Sequence, residues 1–472
     1  MRINTNISAI IANQELDSTE TKLSKSLERL SSGYKINHSK DDPAGLAISQ
    51  KMRTQLKGLD QSDHNAQDGV SVLQTAEGGM TEIQSMLARM KELSVQAAND
   101  VNSKDERAAI QQEIDALTNE IDRIATDTDF NTKSLLNGDL QRRVYSNIEG
   151  TKQVEVTDGF PSGIYGLTVT SDAKAPQVDG VTTAFTATEA TAGTLKLNGV
   201  EINIDAGDTA DIIQSKLIDG ATKAGASFDY NTGTIKSLSY GSNEQLKVEC
   251  DNEELLSTLG LPTGTYTTDE NGAIYYTGAD VEATFTEGAD GRVGFEDTAT
   301  ISTYGNTIYV RDNNNRYFEL QVPDDATSRN GGAIEQTVTD LGTLRVHVGA
   351  NENQIIDISL PEVSSDSLGL NNIFVHSFEM ASEAIEKVDT AVSRLSSIRS
   401  KIGSYQNRLE HTMTNLSVSS ENLTTAYSRI LDVDMAEEMT EYTQANVLAQ
   451  AGTSMLSQAN ARPEMALQLL QK

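Results

Sequence analysis

The stretch 388–430 reads VDTAVSRLSSIRSKIGSYQNRLEHTMTNLSVSSENLTTAYSRI. Within it an apolar residue recurs every seventh position without a miss: Val388, Leu395, Ile402, Leu409, Leu416, Leu423 and Ile430. The companion row, Ala391, Ile398, Tyr405, Thr412, Ser419, Ala426 and Val433, is smaller or more polar. A seven-residue apolar repeat keeps one helix face turned toward a partner along its whole length. Most helical stability comes from packing such a face, so this stretch predicts a helix that requires partner helices.

Similar helical periodicity fills the N-terminal part of the chain. Ile7, Ile10 and Ile11, then Leu23, Leu27 and Leu30, stand at three-and-four spacing and end at Gly33, which predicts one helix over 1–33 with a helix-stopping glycine. Residues 34–46 form a break, where Pro43 suits the first turn of a new helix and Asp41 or Asp42 its cap. That helix should run to about residue 100, roughly 80 Å at about 1.5 Å per residue. Leu73, Ala76, Met80, Ile83, Leu87 and Met90 form its stripe, with Gly78-Gly79 as a weak spot. Ser103-Lys104-Asp105-Glu106 fits a capping box opening a third helix, whose apolar face is Ile110, Ile114, Leu117, Ile121 and Ile124.

The texture changes near 141. Thr194–Leu197 and Val200–Ile204 alternate as strands around Asn198-Gly199, a two-residue hairpin signal, and Asn271-Gly272 is a second such turn. Residues 211–218 predict a short helix among the strands, and helix returns from about Ile373 with a break near Asp432–Asp434. The two long helices match in length, which favours antiparallel packing completed by the third. The expected fold class is therefore α plus β multidomain: long antiparallel helical coiled-coil or bundle arms formed by both chain ends, with a β-rich insert.

Composition narrows the function. A length of 472 residues allows several cored domains, and a net charge of −32 argues against nucleic acid or an anionic membrane as partner. The single thiol, Cys250, leaves no intrachain disulfide framework and no cysteine metal cluster. Residues 1–6 lack the apolar core of a cleaved secretory signal, and no run of about 18 apolar residues predicts a membrane span. His38, His64, His347, His376 and His411 stand in no zinc-protease spacing. Asp312–Arg316 resembles a calcium loop superficially, but Arg316 occupies a ligand position and the required glycine is missing. No catalytic constellation, cofactor motif or metal site is visible, so the reading is non-enzymatic.

Leu30–Asn37 (LSSGYKIN), Asp41–Ile48 (DDPAGLAI), Asn65–Ser71 (NAQDGVS) and Lys91–Asn99 (KELSVQAAN) closely resemble the N-terminal signature of bacterial flagellins. Ser396–Leu409 and Gln450–Asn460 resemble the C-terminal signature, while Gly193–Leu261 is similar to a small flagellin insertion motif. The resemblance implies a division of the chain. Residues 1–43 and 434–472 would be a terminal coiled-coil inner core, disordered in the monomer. Residues 44–140 and 371–433 would form the helical bundle core domain, and 141–370 a variable outer region of two subdomains.

It further implies a subunit that polymerises into the extracellular flagellar filament for motility. Such subunits are exported by the flagellar type III apparatus, bound by an export chaperone, and meet filament cap and hook-junction proteins. Toll-like receptor 5 recognition, carried over from the family, falls on Arg89, Lys91, Leu93, Gln96, Glu113 and Leu117, the last standing where family members often carry Arg. The same positions also read as subunit-packing residues. Leu467, Leu469 and Leu470 are similar to the C-terminal leucines that take part in assembly and are read by cytosolic inflammasome sensors. The competing readings are a hook–filament junction protein and an adhesive or receptor-binding module in the outer region.

Overall fold

In the computed structural model, residues 6–157, 160–261, 266–269, 272–288, 291–312, 316–339 and 341–470 are described. Seven α-helices occur among them: α1 (Ile7–Ser32), α2 (Pro43–Ala97), α3 (Lys104–Asp127), α4 (Ala210–Lys223), α5 (Glu253–Thr258), α6 (Phe378–Leu431) and α7 (Met435–Leu470). Short antiparallel sheets fill the middle of the chain. The fold is therefore α plus β, with long helices from both chain ends and a β-rich insert, as the apolar periodicities predict. The chain falls into two compact units, one of residues 1–68, 347–356 and 409–472, the other of 69–346 and 357–408.

The helix boundaries follow from local chemistry. Gly33 adopts φ 75°, a left-handed cap that closes α1 and donates its N–H to the Arg29 carbonyl. Asp42, rather than Asp41, caps α2 by accepting the Gly45 N–H at 2.9 Å, and Pro43 occupies the first turn. Ser103 and Glu106 make both halves of a capping box on α3. Asp434 accepts the N–H groups of Ala436 and Glu437, so the break before α7 lies where the acidic residues predict it.

The start of α6 differs from expectation. It begins at Phe378 rather than Ile373 because the preceding segment is held elsewhere. The buried Gln111 side chain donates to the Ile373 carbonyl at 2.9 Å and accepts the Val375 N–H at 2.8 Å. Ser377 then caps α6 through the Met380 N–H at 3.2 Å.

In the second unit the α2 stripe Leu73, Ala76, Met80, Ile83, Leu87 and Met90 is fully buried. So are Val388, Ala391, Leu395, Ile398, Ile402 and Tyr405 of α6. Gln406 bonds Glu77, Arg399 bonds Gln84 and pairs with Glu77, and Lys91 bonds Asp389, so rising numbers on α2 meet falling numbers on α6. The helices are antiparallel, as their matched lengths suggest. On α3, Ile110, Ile114 and Ile121 are buried, whereas Leu117 and Ile124 are only half-buried.

Gly78 and Gly79 differ despite their adjacency. A Cβ on Gly78 would meet nothing within 4 Å, while one on Gly79 would lie 2.8 Å from Thr128 Oγ1 and 3.0 Å from Leu136 Cδ1. Gly78→Ala is therefore expected to stabilise the second unit by about 0.5–1 kcal/mol through helix propensity. Gly79→Ala should cancel that gain or reverse it by overpacking. Denaturant midpoints of the two variants check the contrast.

Among the described residues the insert shows two hydrophobic cores. One joins Leu195, Leu197, Ile202, Ile204, Leu246, Val248 and Tyr276 of a five-stranded sheet to Ile213 and Leu217 of α4. The strands Gly193–Leu197 and Val200–Ile204 turn at Asn198 (φ 46°) and Gly199 (φ 77°), the double left-handed geometry of the predicted hairpin. Asn271, of the second predicted turn, lies outside the described residues. The other core gathers Phe160, Tyr165, Phe295 and Phe318, with edge-on contacts such as Phe160–Tyr165 at 5.5 Å between centroids. Its strands come from both sides of the first core in sequence, so one body is nested inside the other's chain.

Candidate functional site

With no catalytic group indicated, the surfaces to consider are those that helices leave open. In the first unit α1 and α7 pair antiparallel. Asn6 donates to the Ala459 carbonyl at 2.9 Å at one end, and Arg29 reaches Glu438 at 3.4 Å toward the other. Beyond it the two helix breaks are stitched together: Lys35 donates to the Leu431 carbonyl at 2.6 Å and Val433 to that of Gly33 at 3.0 Å.

This pair leaves much of its apolar surface in solvent. On α1 only Leu16 and Ser26 are buried, while Ile7 is 62% exposed and Ile10, Ile11 and Leu27 are similarly open. On α7 Met455 is 62% exposed, with Met439, Val447 and Leu448 alongside. Side chains of this kind on two helices exceed the scattered apolar residues normal for a soluble surface.

The α6 heptad changes character along its length. Leu409 is fully buried and Leu416 nearly so, but Leu423 and Ile430 are only half-buried. The repeat predicts a continuous seam; its last two rungs lack full cover within one chain.

The second unit holds the residues singled out around Arg89. Arg89 and Glu113, both half-exposed, meet at 2.8 Å, and Glu92 takes a further Arg89 N–H at 3.1 Å. The Glu113 and Glu92 carboxylates hold the Arg89 guanidinium further above its ordinary pKa, Glu113 contributing most. Lys91 bonds Asp389 at 2.5 Å, and Gln96 is exposed one turn further on. Leu93 is 1% exposed, so it supports this patch from beneath and presents no side chain at its surface. Leu117 is half-buried on α3. From the sequence Leu93 also reads as a seam residue beside solvated charges at Arg89 and Glu113, and its burial agrees with that alternative. The side chains of Leu467, Leu469 and Leu470 lie outside the described residues, although α7 continues through Leu470.

Among the described residues no group of His, Cys, Asp or Glu side chains is placed to hold a metal ion, and no helix is long and apolar enough to cross a membrane. Arg316 instead pairs with Asp312 and, at 2.6 Å, with Glu296; residues 313–315 of that loop lie outside the described residues.

Comparison with known proteins places these helices. The bacterial flagellin N-terminal helical region matches residues 3–140 and the C-terminal helical region residues 385–470. A flagellin of Clostridium tyrobutyricum is 35% identical over 98% of this chain and 100% of its own length. Flagellin D of Vibrio anguillarum is 32% identical over 100% of this chain and 99% of its own. A solved structure of FliC from Burkholderia pseudomallei matches at 16% identity and a TM-score of 0.24, covering 72% of this chain and 99% of that one.

Proposed function

The chain belongs to the bacterial flagellin family, structural subunits of the extracellular flagellar filament rather than enzymes, and from that premise we propose how it assembles. Residues 1–43 and 434–472 form the inner core of the polymer and order fully only there. Residues 44–140 with 371–433 form a bundle domain, and 141–370 carry two outer subdomains. The observation that supports this most is the exposed apolar surface of α1 and α7. Ordering a residue's backbone costs about 1–2 kcal/mol, and a helix pair that buries one side of itself recovers little of that. Neighbouring copies supply the missing cover, for α1 and α7 and for the half-buried Leu423 and Ile430.

The test is polymerisation of the purified full chain, seeded or salted, followed by negative-stain microscopy. Long filaments are the expected result. Short caps, or scarcity of the chain in sheared filaments, would instead indicate a junction protein.

Export through the flagellar type III apparatus with a chaperone on the C-terminal segment belongs to the same proposal. So does recognition by Toll-like receptor 5 at the Arg89 patch. The mutual orientation of Arg89 and Glu113 supports it, since a pre-positioned guanidinium is a common energetic anchor of interfaces. Arg89→Ala is expected to raise the dose needed for receptor signalling about tenfold, with Leu93 acting only through packing. The melting curve should stay unchanged because exposed ion pairs contribute little. An unaltered dose response in a reporter-cell assay would remove Arg89 from the recognition surface.

A further inference from the structure

Three parts of the second unit converge on one side chain. Glu244 leads into the strand Gln245–Cys250 of the nested body. Tyr304 ends the strand Thr300–Tyr304 of the enclosing body, and Glu383, Glu386 and Lys387 belong to α6. Between the nested body and α6 lies a cavity of about 30 Å³, with Ser237, Ser239, Glu244, Glu383 and Lys387 in its wall. A space of that size admits water and no larger ligand.

The loop that carries Glu244 is pinned in place. Asp280 accepts the N–H groups of Ser242 at 3.0 Å and of Gly305 at 2.8 Å, which holds the loop beside Tyr304. Asn243 bonds the Tyr304 side chain, and the Gly278 N–H donates to the Glu244 carbonyl at 3.3 Å. The carboxylate therefore cannot leave the junction for water unless the bodies part.

Charge at the junction is unbalanced. Glu244 faces Lys387 and Glu383 of α6 and the Tyr304 ring, with Glu386 also beside that tyrosine. Lys387 is the cation of this set, and Glu383 already holds it at 2.5 Å. Burial pushes the Glu244 carboxyl above its ordinary pKa; Lys387 offsets part of the rise and Glu383 adds to it. Among the described residues no hydrogen bond favours its ionised form.

We propose that Glu244 is a proton-operated latch, letting the nested body close against α6 when protonated and weakening that contact when ionised. A carboxyl that binds its proton more tightly in the closed arrangement than in the open one stabilises closure in acid. That contribution is lost as pH rises through the raised pKa.

Hydrogen-exchange mass spectrometry of the full chain, corrected for the intrinsic pH dependence of exchange, reads the latch at residues 236–250 and 300–308. Between about pH 5 and pH 8 the wild-type opening constant there should rise by up to about tenfold per pH unit, the limit for one proton. Glu244→Gln, permanently neutral, should match the wild type at the acid end and abolish the rise. Lys387→Met should let the rise continue to higher pH, because the charge that favours ionised Glu244 is gone. That variant leaves Glu244 in place, so it decides the matter if glutamine itself disturbs the loop. A flat wild-type profile, the same slope in Glu244→Gln, or no effect of Lys387→Met on the profile would overturn the proposal. So would an equal rise across α3, which would place the titrating group elsewhere.

Discussion

Leu409→Asp is expected to abolish filament formation and to lower thermal stability more than any other single change considered. Leu409 is 0% exposed and sits at the fourth rung of the α6 heptad. An isolated buried carboxylate has no counter-charge among the apolar rungs Ile402 and Leu416. Removing it from water costs several kcal/mol even after its pKa rises to favour the neutral acid. Leu409→Ala supplies the comparison, with a loss of about 2–5 kcal/mol from transfer and cavity formation alone. The Asp variant should exceed the Ala variant at neutral pH and approach it as pH falls and the acid protonates. Circular dichroism melts at two pH values measure this, alongside filament yield by microscopy. Equal melts for Leu409 and Leu409→Asp, with normal filament yield, would show that the seam runs along another face of α6.

Deleting residues 1–35 should remove polymerisation completely while leaving the second unit folded. The deletion takes away all of α1, 26 residues, and with it the partner of the 36-residue α7. An apolar helix without a partner is marginal in water, so α7 should melt as well. The expected loss of far-ultraviolet helical signal therefore exceeds that of α1 alone. The nested cores of the insert and the α2–α3–α6 bundle draw none of their residues from 1–35. Their thermal transition should survive unchanged. Filaments formed by the truncated chain would refute the role given to the terminal pair, whereas collapse of every transition would show that the second unit depends on it.

Much of the fold is legible residue by residue. Glycine at 33, Asp42-Pro43, the Ser103–Glu106 box and Asn198-Gly199 act through bonds to residues a few positions away, so sequence spacing is enough to read them. The heptad rows are legible for the same reason, since a helix converts spacing into a face. The start of α6 was not legible, because Gln111, more than 260 positions away, claims the backbone at Ile373 and Val375. Nor was the aromatic cluster of Phe160, Tyr165, Phe295 and Phe318, which strands on both sides of the nested body bring together.

The candidate surfaces divide along the same line. Flagellin membership and the helical ends follow from motifs and periodicity within contiguous segments. Which apolar residues remain uncovered does not. Ile10 and Leu16 are both apolar residues of α1, yet one is 58% exposed and the other 9%. Leu93 and Gln96 both fall in the segment that the resemblance assigns to recognition, yet one is core and the other surface. By itself the sequence determined where helices start, stop and carry apolar stripes, because those depend on neighbours along the chain. Only the tertiary structure decided which stripes find partners within one chain and which remain open to solvent, because burial depends on what residues hundreds of positions away bring to the same place.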